Sequence, residues 1–439
     1  IFMNQSSSLN QYINMRKVAF TSLAGTSIEW YDFFLYGAAA ALIFPTAFFG
    51  EMPGSTALIL SFLTFAAGFI ARPIGGVIFG HFGDKIGRKK TLIIALILMG
   101  VASTLIGLLP TYAMIGVAAP ILLTLLRFAQ GLAIGGQWGG AMLLVTESAP
   151  SNQRGFYGAY AQAGVPIGVI LANLAYIIIG SLVSDEAFYS WGWRIPFLAS
   201  AVLIGLSMYI QLTMEDTKAF KELQHTVGDQ QASQNIPIKK SPVLEAIKKY
   251  PQRISLAAGA FLSVQVTFYI LIAFILTYGV ESTNLVRDDM LSAVLIGSAI
   301  MVPFLFLFSS YSDRNGRRGI FMLGSILTAI WAFALFPLVD TGNFWMAVLA
   351  ITVGLVFLAM MYGPQAAFFA ELFSTEVRYS GANLGYQLGA ILGGAFAPTI
   401  AITLSTNFGI FWVSVYIAIA SMLTFISVVF LTETYKSDL

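Results

Sequence analysis

Four formally charged residues fall inside long apolar runs of this chain: Glu29, Asp32, Arg72 and Arg127. A charge at the centre of a bilayer costs roughly 2.5–3.5 kcal/mol on insertion scales, so such side chains persist where they meet one another or a wet cavity. Acids and guanidiniums in that setting can do two kinds of chemistry. A carboxylate can take up and release a proton, and a guanidinium can hold an anion through its planar fork of N–H donors. At 100° per residue Glu29, Asp32 and Tyr36 lie on one stripe of their helix, and Arg127, Gln130 and Gln137 share a face of theirs. We expect Asp32 to be the proton-binding carboxylate and Arg127 its conditional partner, the two facing each other across a watery hollow at mid-membrane. A nearby guanidinium keeps the acid ionised, and its withdrawal leaves a desolvated carboxyl that takes a proton. The plainer alternative is a permanent structural ion pair. Glu29 reads equally as a second titrating group or as an acceptor for N–H groups of neighbouring helices. Arg127 is the stronger candidate for a substrate anion; Arg72, just before Pro73, could also hold a substrate carboxylate but reads slightly better as a donor to carbonyls freed by that proline.

The second half of the chain places no formal charge in an apolar run. It offers Gln265, Tyr269, Tyr362, Gln365, Asn383, Tyr386 and Gln387, neutral groups suited to hydroxyl or carbonyl partners. With Tyr36, Arg127, Gln130, Gln137 and Gln162 from the first half, these form the expected substrate-binding set. The bland reading of any one of them is an interhelical hydrogen bond, worth about 1 kcal/mol. Together they suggest a division of labour, the first half handling proton and charge and the second reading the substrate's polar shape.

Helices long enough to span lipid must position these groups. Of 439 residues 57% are hydrophobic and only 10% charged, and the mean hydropathy is +0.80; an average soluble domain is about 25% charged. Apolar runs predict an all-α membrane protein with twelve spans, near 18–44, 56–80, 91–109, 120–146, 155–183, 193–214, 253–279, 289–308, 319–339, 343–370, 379–405 and 409–432. The first run continues into a full-length span, so no cleavable leader is expected, and Met3 is the expected native start. All but four of the 23 Lys and Arg lie on one side, the exceptions being Arg72, Arg127, Arg194 and Arg287. That bias places the basic side, with both termini, in the cytoplasm of a bacterial inner membrane protein. The expected organisation is a tail (1–17), a six-helix bundle (18–215), a cytoplasmic linker (216–251), a second six-helix bundle (252–433) and a short tail (434–439). With no Cys, and with His81 and His225 at predicted loops or helix ends, no metal site is expected. The glycines between Gly131 and Gly140 lie mid-helix with no strand before them, so they are not a nucleotide loop. No catalytic motif is present, and neither an enzyme nor a nucleic-acid partner is expected.

Two motifs recur about half a chain apart. Gly80-His81-Phe82-Gly83-Asp84-Lys85-Ile86-Gly87-Arg88 returns as Ser309-Ser310-Tyr311-Ser312-Asp313-Arg314-Asn315-Gly316-Arg317. Glu147 and Arg154 return as Glu371 and Arg378. Two motifs repeating at nearly one offset imply two six-helix halves. Gly80, Asp84, Arg88, Glu147, Arg154, Asp313, Arg317, Glu371 and Arg378 form an expected cytoplasmic gate: Asp84 and Asp313 can cap helix N-termini, and the Glu and Arg residues can form an ion-pair layer that breaks when the halves part. A static topology anchor is the alternative.

With these motifs the chain resembles the major facilitator superfamily over nearly its whole length. Glu29-Trp30-Tyr31-Asp32-Phe33, Arg72-Pro73-Ile74-Gly75-Gly76, Arg127-Phe128-Ala129-Gln130-Gly131 and Trp191-Gly192-Trp193-Arg194 look like the metabolite–proton symporter family, most of all its shikimate-type branch. That resemblance implies import of a carboxylate metabolite with protons by alternating access, by a carrier expected to be monomeric in lipid with the proton as coupling ion and no cofactor. A helix-1 Asp facing a helix-4 Arg is also similar to proton-coupled sugar porters. Two positions depart from the pattern: Gln137 stands where the family usually has Glu after Gly135-Gly136, and Ser309 stands where the second loop motif usually opens with Gly. Uptake of a zwitterion of the proline or betaine type, proton-antiport export, and a non-transporting nutrient sensor are the competing expectations.

Overall fold

The computed structural model describes residues 2–86, 88–135, 142, 145–215, 242–374 and 377–436, with the side chains of 2–14, 80–89, 91–92, 211, 214–215, 242 and 379 outside that description. Among the described residues twelve long helices dominate and no strand occurs. They are α1 (Phe2–Leu42), α2 (Gly54–Ile86), α3 (Arg88–Leu108), α4 (Ala118–Gly135), α5 (Arg154–Leu182), α6 (Arg194–Glu215), α7 (Pro251–Ser282), α8 (Arg287–Asn315), α9 (Arg317–Asp340), α10 (Phe344–Glu371), α11 (Arg378–Asn407) and α12 (Ile410–Phe430). The helices overrun several predicted boundaries. α1 begins at Phe2, inside the expected tail, and α2 runs into the predicted 2–3 loop. A short helix, Pro242–Lys249, occupies the described end of the expected linker. The rest of that linker, 216–241, lies outside the described residues.

Apolar stripes point outward where a soluble protein would present polar ones. Along α3, Ile94, Ile97, Val101, Leu105 and Leu108 are all exposed, repeating every three or four residues as one lipid-facing stripe. Helices that line the centre are covered all round instead, and 89% of the apolar window of α7 is buried.

The packing repeats between halves. In the first, α1 packs on α5, α2 on α4 and α3 on α6; in the second, α7 packs on α11, α8 on α10 and α9 on α12. The seam between halves is made by α5 with α8 and by α2 with α11, the same relation under that repeat. Small residues set the closest crossings. A Cβ built on Gly135 would collide with the backbone carbonyl of Arg72, and one on Gly131 with the carbonyl of Gly68, so α2 and α4 touch along their backbones. α7 and α11 each contain one wide π-turn, at Ile270–Phe274 and Ala390–Ala395, which breaks the regular stacking of side chains near mid-span.

Candidate functional site

The first half gathers its polar side chains into one chain of hydrogen bonds. Asp32 on α1 is fully buried and accepts a short hydrogen bond from the Ser103 hydroxyl of α3. Ser103 in turn accepts from Gln130 Nε2 at 2.7 Å, and Gln130 Oε1 accepts from Arg127 Nη1 at 3.1 Å. The donors all point the same way, so the relay runs from guanidinium to carboxylate through an amide and a hydroxyl. Among the described residues no ion pair joins Asp32 to Arg127 directly. The expected watery hollow between them is instead a packed junction, because Gln130 and Ser103 fill it with matched donors and acceptors and both end groups are wholly buried. Ser200 of α6 flanks the Asp32 carboxylate.

Aromatic rings hold the guanidiniums. Arg127 lies 3.8 Å from the Phe33 ring centre, 4.4 Å from Tyr36 and 4.7 Å from Phe65, and its Nε reaches the Phe65 carbonyl at 3.5 Å. Gly68 leaves the room for it: a Cβ there would come within 2.6 Å of Arg127 Nε. Arg72 on α2 lies 4.3 Å from the same Phe33 ring, 4.5 Å from Phe69 and 5.0 Å from Trp30. Burying a guanidinium against ring faces replaces part of its lost hydration. The Arg72 Nε and Nη2 groups have no hydrogen-bond partner, and neither has Arg127 Nη2. Tyr269 of α7 packs edge-on against Phe69, one of the rings under Arg72, with ring centres 5.0 Å apart.

Beside this cluster, at the seam, is a cavity of about 20 Å³, room for a water or two. Trp30 from the first half faces Gln265, Tyr269, Tyr362 and Tyr386 from the second across it. Four residues of the expected substrate set therefore line it. The others stand elsewhere. Tyr36 donates to Thr64 at 2.6 Å and forms the floor under Arg127, and Gln130 belongs to the relay. Gln162 reaches across the seam to the Tyr362 carbonyl at 3.0 Å. Gln365 is buried, and Asn383 lies 3.4 Å from Gln387 in α11. Glu29 is half-buried and has partners of its own. Gln137 lies outside the described residues. Sequence reasoning missed Ser103, because a lone Ser in an apolar run carries no signal until its neighbours are known. Trp30 and Phe33 stand out in the sequence only as members of the Glu29-Trp30-Tyr31-Asp32-Phe33 motif.

On the basic face the repeated motifs meet crosswise. Glu147 of the first half accepts from Arg378 of the second at 3.1 Å, and Arg154 of the first lies 4.0 Å from Glu371 of the second. Asp313 at the end of α8 caps α5, accepting from the backbone N–H of Gly155 at 2.7 Å and of Phe156 at 2.9 Å. Arg317 is fully buried between Asp313 at 2.7 Å and Glu371 at 3.0 Å. Glu433, which the sequence reading did not single out, caps α9 by accepting from the N–H groups of Arg317 and Arg318, and Thr434 donates to Glu371 at 2.7 Å. Gly316 forms the turn between α8 and α9: its φ of +100° favours glycine, and a Cβ there would come within 2.8 Å of the Glu433 carboxylate. The side chains of the partner motif, Gly80, Asp84 and Arg88, lie outside the described residues. The opposite face is tied as well. Arg287 donates to Asp185 at 3.2 Å across the seam and stacks 3.9 Å over Phe188, while Thr277 donates to the Ala41 carbonyl at 3.0 Å. With contacts on both faces, the buried cluster is enclosed.

Comparison with known proteins agrees with this architecture. The family model described as Major Facilitator Superfamily matches residues 23–385. The chain belongs to that superfamily. It is a multi-span membrane protein that transports small-molecule metabolites, and it is not an enzyme. It is 40% identical over 438 residues to the inner membrane metabolite transport protein YhjE of Escherichia coli, covering 97% of this chain and 96% of that one. It is 39% identical over 410 residues to the shikimate transporter of the same organism, covering 92% and 90%. The proline/betaine transporter of Salmonella typhimurium is 33% identical over 392 residues, with 88% and 77% covered. Among solved structures, the D-xylose-proton symporter aligns with a TM-score of 0.74 at 17% identity, covering 96% of this chain and 99% of that one. That likeness establishes the fold.

Proposed function

We propose that this protein is a proton-coupled symporter that imports a small organic acid across a bacterial inner membrane by alternating access, working as a monomer in lipid. The observation that carries the reading is the buried relay from Arg127 through Gln130 and Ser103 to Asp32, set beside an aromatic cavity at the seam. Three helices of one half, α1, α3 and α4, supply it, and none of its groups reaches lipid. A carrier of this design needs a site whose protonation state can differ between its two open forms. Asp32 supplies that site: with the relay intact it is held as a carboxylate facing donors, and when Ser103 or Gln130 turns away it must take a proton or remain a bare buried charge.

The substrate class follows from charge and chemistry. The cluster holds two guanidiniums, and the second half adds three tyrosine hydroxyls and an amide around the cavity, a set suited to a carboxylate bearing hydroxyl or carbonyl groups. The relative named as a shikimate transporter supports an acid of this kind. Relatives named as proline/betaine transporters keep zwitterion uptake as the second reading, and the Trp30 and tyrosine rings would suit a quaternary ammonium. The basic face, placed in the cytoplasm by its Lys and Arg excess, acts as the inner gate through Glu147–Arg378 and Arg154–Glu371.

Purified protein in liposomes with an imposed inward proton gradient is expected to accumulate shikimate or a related hydroxylated acid. Labelled shikimate, 2-oxoglutarate, benzoate and glycine betaine are compared in parallel. Accumulation of betaine alone would select the second reading. Uptake indifferent to the proton gradient would remove the coupling.

A further inference from the structure

Arg72 is the buried group that the relay leaves unused. Its side chain is almost wholly covered, yet two of its three nitrogens, Nε and Nη2, have no hydrogen-bond partner. These two lie along one edge of the guanidinium, and that edge offers the parallel pair of N–H donors that a carboxylate accepts through both oxygens. Arg127 is differently placed: its Nε and Nη1 are engaged by the Phe65 carbonyl and by Gln130, and only Nη2 is left. The relay already balances Arg127 against Asp32.

The surroundings of Arg72 fit a ligand site. Trp30 and Tyr269, two of its neighbours, are also walls of the seam cavity. Tyr362 and Tyr386, from the opposite half, line the same cavity. Its backbone carbonyl is pressed on Gly135, so the base of the side chain cannot shift without parting α2 from α4. A rigid base, a free donor edge and a cavity one ring away make a pre-organised seat for an anion.

We propose that Arg72, rather than Arg127, anchors the substrate: one carboxylate of the transported acid binds its Nε–Nη2 edge beside Tyr269, and the rest of the molecule lies toward Tyr362 and Tyr386. This rests on the organic-acid reading above and names the residue that makes the site acid-selective. Because the two halves contribute opposite walls, a bound acid draws them together at the seam.

The test is calorimetric titration of the purified full-length protein with shikimate, benzoate and 2-oxoglutarate, each against its amide. The wild type is expected to bind at least one acid tighter than its amide by about tenfold or more, the scale of a charge-assisted pair of hydrogen bonds. In Arg72→Gln that preference is expected to fall to near one, while the lipid-facing control Val101→Ala keeps it. An Arg72→Gln protein that still prefers the acid as strongly overturns the inference and leaves the proposed function standing. A wild type that binds none of the acids removes the proposed function and this inference with it. If Arg72→Gln does not stay monodisperse, Arg72→Lys decides: it keeps the charge without the flat edge, and acid binding is expected to weaken about tenfold. Wild-type affinity in Arg72→Lys would overturn the two-point seat.

Discussion

A buried carboxylate with few donors is sensitive to losing one. Ser103 donates to Asp32 and accepts from Gln130, so Ser103→Ala cuts the relay at its midpoint. Removing one partner of a buried charged group costs about 1.5–3 kcal/mol. We expect proton-driven accumulation to fall by tenfold or more in Ser103→Ala, with substrate exchange in the absence of a gradient less affected. Asp32→Asn should abolish accumulation and leave exchange; accumulation that survives in Asp32→Asn would show that another group carries the proton. Gly68→Ala tests the seat of Arg127 from the opposite helix. The new methyl has to displace the guanidinium, so exchange and accumulation should both decline, and a variant with wild-type transport would show that Arg127 has room to move.

Helices in lipid cannot rely on the hydrophobic effect to find one another, so close backbone contact does much of the work. The α2–α4 crossing is the tightest in the first half, and it places Arg72, Gly68 and Arg127 side by side. Gly131→Val would force these helices apart. Overpacking of this kind typically costs about 1–3 kcal/mol, so a lower unfolding temperature is expected, with loss of acid binding even at temperatures where the protein is folded. A control on the lipid face, Val101→Ala, should leave binding unchanged, because that side chain is about half exposed. The π-turns of α7 and α11 belong to the same scale. No periodicity in the sequence announced them, since one wide turn leaves a span as apolar as before.

At the scale of the whole molecule, the two halves are joined by charges at one end and by mixed contacts at the other. Glu147→Gln removes one crosswise pair on the basic face and leaves Arg378 without that carboxylate. Its closing of that face should weaken. The chain has no cysteine, so a single introduced thiol reports without background. Ala366 is buried on α10 where that helix meets Gly158 of α5. Maleimide modification of Ala366→Cys is expected to speed up several-fold when Glu147→Gln is added. No change in rate would mean that the pair does not hold the face shut. Disruption of the opposite face, by Arg287→Gln, should leave that thiol as protected as before or more so, because an alternating carrier opens one side at the expense of the other.

Span number, the two-half repeat and the face that collects Lys and Arg were legible in the chain because lipid imposes them locally: each helix must be apolar for its full length, and each loop shows its charge on its own. The charged members of the buried cluster, Asp32, Arg72 and Arg127, stood out as well, since a charge in an apolar run has to be accounted for, whereas Ser103 did not. Their partnerships were not legible. Whether Asp32 met Arg127 directly or through Gln130 and Ser103, whether Glu147 found Arg154 or Arg378, and that Glu433 would cap α9 all depend on which residues distant in the chain come within about 3 Å. That is set by how twelve helices pack, and by glycines whose missing side chains let two of them touch. Arg72 shows the difference most sharply. Read along its helix it was a neighbour of a proline, and only its surroundings in space reveal two donors with nothing to hold.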